Sequence, residues 1–568
     1  DAMKLAELVT DFCADVFVLI ISRSIPKLIG SSYIHLVPLD EADTRAYLIA
    51  HTEVEPELKT KSAVSEIYRH TEGVPGKIDR SIKQLRVVSL SDLASEMISD
   101  AKNTGLSKES IPPSLVQAVD RLRLSKDDHS KRTWILLKIL SALPSGEALQ
   151  RIRYLASRTT LRSEHAESLL ELNLIGVRVA SAFMTSAGGE AKEKFKILYT
   201  PRQVRDHVIS LVPSSEIEDL TERAITLYFG DSWRSGAAKL RTFGDTPKSD
   251  ERSVLMNASV LALRLLAFAV ATEKDHAIKQ AITVCKAYCT HGFSNKNFRD
   301  MVTVCKDILG LLPTSTSPHE KGFFEFTLAN AMRMTGDGQK SVEIYERLQL
   351  LKWPNTEKIS LLMNHAFCLE QTHPEEAVLM AKEIIRIDKH SHHALQAHTL
   401  ILEVEAEDNS HFKLVKIQRD ARKRGANVVA NNIALSLANS SPDSAELEVS
   451  LIEVRNSADK EQDFYTSARA AIQLARLYSN REVALPTEAL GNLIKAYQYL
   501  FGQRLSILFD SAHALLWDEF ESIRDIPNLL TLFKHSSFNW RLDNKEEKEK
   551  SYASRLIIME KKLLKVDI

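Results

Sequence analysis

Residues 326–354, FTLANAMRMTGDGQKSVEIYERLQLLKWP, decide the fold of most of this chain. Apolar residues recur at helical spacing on both sides of the dipeptide Gly336-Asp337, which predicts two helices joined by a tight turn. Pro354 ends the second helix, because proline cannot continue a helix. The residues expected where the helices meet are small or apolar: Ala329, Ser341, Tyr345 and Leu348. The stretch therefore predicts a closely packed antiparallel helix pair.

The same pattern returns further along the chain. Residues 364–388, NHAFCLEQTHPEEAVLMAKEIIRID, place Ala377 and Ala381 where the first pair has its contact residues. The shift is roughly one repeat length of a helix-pair repeat. Residues 466–479 and 488–502 carry a third, more degenerate pair of helical patterns. Three pairs in a long helical run indicate a repeat array.

These pairs resemble tetratricopeptide repeats (TPRs), and helical patterns fill residues 214–568. Each pair leaves an apolar face bare unless a neighbour covers it, so we expect one continuous TPR-like α-solenoid, acting as a sensor domain, over this range. A concave solenoid surface suits a protein ligand better than a small molecule. Aromatic side chains are candidate anchors for such a ligand, although most should fill the core and about one in three be exposed: Trp353, Tyr497, Tyr499 and Trp540.

Composition sets the broad class. The chain has 568 residues, of which 44% are hydrophobic and 26% charged, so several folded domains are expected rather than disorder. The formal net charge of −1 gives no overall field toward nucleic acid or anionic membrane. Binding of either would have to come from local patches.

The cysteines and histidines do not form a metal pattern. Five cysteines lie without CxxC spacing, so neither a disulfide framework nor a zinc site is expected. A cluster of histidines falls at a turn between repeats, without the partners or the fixed spacing of a metal site: His390, His392, His393 and His398. The cysteine pattern fits a reducing cytoplasm best. No apolar stretch is expected to reach the length of a membrane span, so no binding to membranes is predicted.

Near the start of the chain, DVFVLIISRSIPKLIG at residues 15–30 predicts a strand buried on both faces and ending near Arg23. Such strands belong to parallel sheets covered by helices, and one strand cannot stand alone. Residues 1–40 are therefore interpreted as the C-terminal end of an α/β nucleotide-binding domain. We expect its other strands to lie before Asp1, which is not a methionine.

This strand, followed by HLVPLDEADTRAYL at 35–48 and HTEGVPGKIDRSIKQL at 70–85, resembles the STAND NTPases, the signal-transducing ATPases that include the NLR proteins. The resemblance implies an AAA+-like P-loop domain that binds ATP or ADP with Mg²⁺, then a helical lid over residues 41–112. It also implies nucleotide-binding residues: Arg23 toward the γ-phosphate, its neighbour Ser22, and Gly73 and Pro75 against the adenine. A guanidinium at a strand end fits this role, because its forked donors match phosphate oxygens.

Two further lid residues keep two interpretations open. Lys77 and Arg80 stand where related AAA+ ATPases carry a second sensor, but a solvated helix face explains them equally well. No GxxxxGK[ST] motif and no strand ending in paired acids occurs, so no catalytic residue is assigned to this segment. We expect these motifs and an effector domain upstream of Asp1. The full-length protein would then be an ATPase that also carries an effector enzyme.

Residues 113–213 predict three helices and a hairpin, the elements of a winged helix. Its third helix offers Arg162 and His165 against three carboxylates, so DNA binding is not expected: Glu164, Glu167 and Glu171. STAND proteins carry a winged helix after the lid as a latch, and many place an ADP-contacting histidine just after the wing. Here Pro201 occupies that place, and His207 lies too far along the next helix to substitute.

The resulting hypothesis is a mainly α chain: the end of an α/β domain, a helical lid, a winged helix and a TPR-like solenoid. The STAND resemblance implies a switch in which ligand capture releases an ADP-held closed form, permits ATP-driven self-association and activates an N-terminal effector. Prokaryotic members of this layout are often antiviral sensors of phage proteins. A STAND-type transcriptional regulator and a plain TPR scaffold remain alternatives.

Overall fold

The computed structural model describes residues 38–50, 56–85, 89–90, 113–157, 159–179, 196–243, 251–405, 410–440, 445–461, 463–481, 483–503, 505–542 and 545–564. These residues contain 25 α-helices and one two-stranded sheet, so the predicted mainly α fold class is confirmed. The predicted strand within residues 15–30 lies outside the described residues, as do Ser22 and Arg23.

The first nine helices precede the repeat array. They are α1 (Glu41–Ala50), α2 (Lys61–Thr71), α3 (Pro75–Gln84), α4 (Pro113–Leu124), α5 (Asp128–Ala142), α6 (Leu149–Leu155), α7 (Ser163–Glu171), α8 (Arg202–Leu211) and α9 (Ser214–Phe229). The strands β1 (Gly176–Val179) and β2 (Lys196–Tyr199) pair antiparallel between α7 and α8, and Leu198 also bridges to Glu147. Helices α5 to α7 followed by this hairpin have the element order of the predicted winged helix, an assignment that stays a prediction.

Sixteen helices follow. They are α10 (Glu251–Ala271), α11 (Asp275–Ser294), α12 (Phe298–Leu311), α13 (Pro318–Thr335), α14 (Gly338–Gln349), α15 (Asn355–Leu369), α16 (Pro374–Ile387), α17 (His392–Glu405), α18 (Ser410–Lys423), α19 (Asn427–Ser440), α20 (Ala445–Lys460), α21 (Phe464–Asn480), α22 (Thr487–Gln503), α23 (Ser506–Ser522), α24 (Ile526–Leu542) and α25 (Glu546–Leu564). Short 3-10 helices occur at Pro56–Lys59 and Asp231–Ser235.

The described residues fall into two compact units. The first comprises those of Asp1–Thr44, Ser65–Val179 and Lys196–Ile217, and the second includes those of Arg45–Val64 and Glu218–Ile568. The finer domain boundaries expected from the sequence stay predictions.

Helices of the second unit pack in the manner of a repeat array. From α10 to α25 each helix contacts the next one along the chain, and the odd-numbered helices α11 to α21 also contact one another in succession. The predicted contact of the first pair is confirmed, because Ala329, Tyr345 and Leu348 are fully buried in one apolar cluster. Gly336 ends α13 with a φ of 99°, a left-handed conformation that glycine adopts without strain.

The expectation that no stretch has the length of a membrane span was wrong for α10. The segment Ser253–Ala271 is long and apolar enough to cross a membrane, by length and composition only, with a mean hydropathy of 2.0. Yet 56% of this window is buried inside the protein, against α11 and α12. The apolar composition therefore matches a helix with neighbours on several faces.

Candidate functional site

The turn between α2 and α3, which carries Gly73 and Pro75, has a demanding backbone. Glu72 and Gly73 both adopt positive φ values, 49° and 72°. The amide of Leu39 donates a hydrogen bond of 2.9 Å to the carbonyl of Gly73. A Cβ atom at Gly73 would lie 1.7 Å from the carbonyl oxygen of Leu39, so only glycine fits. Pro75 opens α3, where its missing N–H costs nothing.

A group of five charged side chains joins this turn to α8, and we call it the lid cluster: Glu72, Lys77, Arg202, Arg205 and Asp206. Lys77 Nζ lies 2.9 Å from Asp206 Oδ2, and Arg202 Nε lies 3.3 Å from the same oxygen. Arg205 donates to Glu72 Oε1 over 2.7 Å. The lid turn and the helix after the hairpin are thus held together by ion pairs.

The lid cluster is only partly exposed to solvent. The side chains of Lys77 and Asp206 are 17% and 22% exposed. Burial alone would raise the pKa of Asp206, but the cations of Lys77, Arg205 and Arg202 outweigh burial and hold that pKa below its usual range. Asp206 therefore stays ionised near neutral pH and balances several cations at once.

Three other residues considered in the sequence analysis lie outside the lid cluster. Arg80 is exposed and forms no ion pair with any described residue, as a solvated helix face would. Pro201 caps the start of α8 and is exposed. Burial lowers the pKa of His207, whose charged neighbours are Asp120 and Arg123 of α4 rather than the lid turn.

Sequence reasoning missed the lid cluster. It kept two interpretations of Lys77 open, a second nucleotide sensor and a residue on a solvated helix face. The structure instead pairs this lysine with Asp206, 129 positions later. The sequence YTPRQVRDHV did carry a signal, because two arginines and an aspartate recur on one face of α8 at helical spacing. No sequence pattern near Lys77 indicated that this lysine would contact α8.

Helix α7 does not present a histidine for reading DNA. His165 is 1% exposed and stacks on the ring of His129, with ring centres 4.9 Å apart. His129, Glu164 and His165 bring possible metal-ligand atoms within 4.8 Å of one another. However, His165 Nδ1 accepts the amide hydrogen of Arg162, so in the neutral ring Nε2 carries the proton and offers no lone pair to a metal.

The second unit contains a groove of about 940 Å³ lined by the odd-numbered helices α11 to α21. The end of α22 also meets the start of α12, because Gln503 Nε2 donates to Asn297 Oδ1 over 2.8 Å. Aromatic rings line the groove, among them Phe323, Phe326, Phe367 and Tyr465. Amide side chains lie between them, including Asn364, Gln371, Gln396 and Asn432.

The four aromatic residues expected as anchors do not line this groove. Tyr497 and Trp540 are 2% and 1% exposed, within the apolar cluster of the last helices. Trp353 packs over Gly322 and donates its ring N–H to the carbonyl of Leu348. Tyr499 is also partly buried, so the expectation that about a third would be exposed was wrong. Large rings fill the space between paired helices instead.

Comparisons with known proteins give little further support. No protein-family profile matches the chain, and no curated protein matches it. One solved structure with similarity is a signal transduction ATPase with numerous domains (STAND) protein with a tetratricopeptide repeat sensor from Pyrococcus horikoshii. It is 13% identical, with a TM-score of 0.37, over 94% of this chain and 75% of that one. A similarity of this size carries no argument, and the mainly α fold rests on the helices themselves.

Proposed function

We propose that the chain is the regulatory and ligand-sensing part of a STAND NTPase, in which the solenoid groove captures a protein ligand. The groove is the observation that carries this proposal. It runs across six helices of the solenoid and mixes aromatic rings with amide and charged groups. Small ligands favour compact, mostly apolar cavities, whereas a surface this long suits an extended protein segment.

The lid turn supports the nucleotide side of the proposal. Gly73 and Pro75 stand in a rigid turn that the lid cluster ties to α8. In the proposed switch, Ser22, Arg23, Gly73 and Pro75 contact ATP or ADP, held with Mg²⁺, and the lid cluster stabilises the ADP-held form. Ligand capture then permits ATP-driven self-association and activation of an N-terminal effector, with a phage protein as the ligand in an antiviral setting in the cytoplasm.

The proposal is tested by nucleotide binding to the natural full-length protein. We expect a fluorescent ADP analogue to bind, and Arg23→Ala to weaken binding of the ATP analogue by about tenfold or more, because a charged donor to phosphate is lost. Arg476→Ala is the matched control, since Arg476 is exposed on α21, outside the groove, and bonds only to Ser511 among the described residues. Absence of nucleotide binding, or equal affinities for Arg23→Ala and the wild type, would favour a plain scaffold.

A further inference from the structure

Two arginines in the groove are held in the same unusual way. Arg333 Nη2 donates to Asn364 Oδ1 over 3.0 Å, and its guanidinium lies over the ring of Phe367, 5.5 Å from the ring centre. Arg469 Nη1 donates to Asn432 Oδ1, also over 3.0 Å, and its guanidinium lies 6.0 Å from the ring centre of Tyr465. Each cation is thus held by neutral groups, a side-chain amide and an aromatic face, and Arg333 also interacts with the hydroxyl of the buried Tyr345.

Neither arginine has a carboxylate partner within the part of the chain that the structure describes. Elsewhere in the solenoid arginines commonly pair with acids, as Arg347 does with Glu325 and Arg481 with Glu448. A partly buried guanidinium without a counter-charge is costly unless a ligand supplies one.

The acidic groups that line the same groove do not neutralise these arginines. Asp463 caps α21 and accepts from the hydroxyl of Thr466 over 2.9 Å. Glu370 and Glu403 lie near each other, and burial together with the charge of Glu403 raises the pKa of Glu370. The arginines stay charged at every physiological pH, whereas Glu370 is pushed toward its neutral form.

We propose that the groove selects an extended protein segment that places acidic side chains on Arg333 and Arg469. This inference rests on the proposed sensor function and specifies its ligand. A guanidinium presents donors in a fork that matches a carboxylate, and stacking on a ring fixes that fork before the ligand arrives. The rings of Phe323 and Phe326 line the same groove and offer apolar contacts to such a segment.

The carboxylates of the groove also decide against nucleic acid. A nucleic acid strand presents a negative charge at every nucleotide, and it would meet Glu403 and Asp463 as well as the arginines. A peptide can place its acids at the arginines alone. Charge complementarity therefore favours a protein segment with acidic residues at separated positions.

The test is selection of random short peptides by the full chain, compared with the double variant Arg333→Gln and Arg469→Gln. We expect enriched peptides to carry Asp or Glu, and the best of them to bind about tenfold to a hundredfold more weakly to each single variant. Arg333→Lys should give an intermediate loss, because lysine keeps the charge without the fork. Arg476→Gln, on the same helix as Arg469 but outside the groove, should leave binding unchanged. Circular dichroism of each variant checks that it is folded.

The outcomes separate the two proposals. Enriched peptides that lack acids, yet lose affinity in groove variants such as Phe367→Ala, would overturn the acidic specificity and leave the sensor function standing. Failure to enrich any groove-dependent peptide would overturn both. Equally tight binding of a mixed-sequence single-stranded RNA that depends on Arg333 would overturn the choice of a protein segment.

Discussion

At the scale of single residues, Gly73 shows how one backbone position shapes the lid. The turn needs two successive residues in the left-handed region, and the carbonyl of Leu39 fills the place of a side chain at the second. Gly76 lies only three residues later, yet a Cβ atom there would have no described neighbour within 4 Å. A side chain is therefore excluded at Gly73 but has room at Gly76.

We expect Gly73→Ala to destabilise the first unit by about 2–4 kcal/mol, because a Cβ adds a clash to an unfavourable φ. Gly76→Ala should change stability by less than about 1 kcal/mol and in the stabilising direction, because alanine favours a helix. Hydrogen exchange of the amides in α3 measures both. Equal protection of α3 in the two variants would contradict the assigned turn geometry.

The sequence predicted a turn at Gly73 and Pro75, because a glycine and a proline there leave a strong local signal, and their contact with a nucleotide stays a prediction. It did not identify the groove aromatics. Phe323, Phe326, Phe367 and Tyr465 have the same helical spacing as core residues, and only the packing of successive odd-numbered helices brings them to one groove. Conversely, Trp540 was a candidate anchor because of its type, yet it is buried.

At the scale of elements, α8 is joined to the lid turn through charged side chains. Arg202, Arg205 and Asp206 lie on its lid-facing side, and Glu72 and Lys77 meet them from the turn and from α3. Removing Asp206 would leave partly buried cations without their shared acid. Such an uncompensated charge costs more than the ion pair contributed.

Asp206→Asn should therefore destabilise the first unit by roughly 2–4 kcal/mol at neutral pH. Asp128→Asn is the control, because Asp128 forms an exposed ion pair with Lys131 on α5 of the same unit and should change stability by about 0.5 kcal/mol or less. Urea unfolding followed by the exchange of α8 amides gives both values. Matching losses in the two variants would contradict a special role for the lid cluster.

The difference in stability between Asp206→Asn and the wild type should depend on pH, because the pKa of Asp206 is lowered in the folded protein. A carboxyl whose pKa is lower in the folded state stabilises the fold above its unfolded pKa, which is about 3.9 for aspartate. This stability is lost as pH falls further, through the folded pKa. The gap between Asp206→Asn and the wild type should thus be constant from about pH 5 to 8 and narrow below pH 4.

Helix pairs were predictable from the sequence because apolar periodicity is a local signal, as residues 326–354 illustrate. The contact between the lid and α8 was not, since it joins residues 129 positions apart that share no motif. Helix α10 shows that a local signal can also mislead, because its composition alone matches a membrane span. Its apolar residues reflect neighbours on several faces, which a single helix does not reveal.

At the scale of the whole molecule, the proposed role requires that the groove and the nucleotide influence each other. Two distinct sites and a difference in free energy between two states define such coupling, and it acts in both directions. The groove arginines provide variants that should disturb ligand binding alone. Arg333 and Arg469 belong to the second unit, whereas Gly73 and Pro75 belong to the first.

The most direct test is the rate of release of a fluorescent ADP analogue from the natural full-length protein, with and without a saturating groove-selected peptide. The account predicts that the peptide accelerates release by about tenfold, within the usual range of coupling between sites. The double variant Arg333→Gln and Arg469→Gln should bind ADP normally and show no acceleration. An unchanged release rate in wild-type protein that demonstrably holds the peptide would contradict the sensor account.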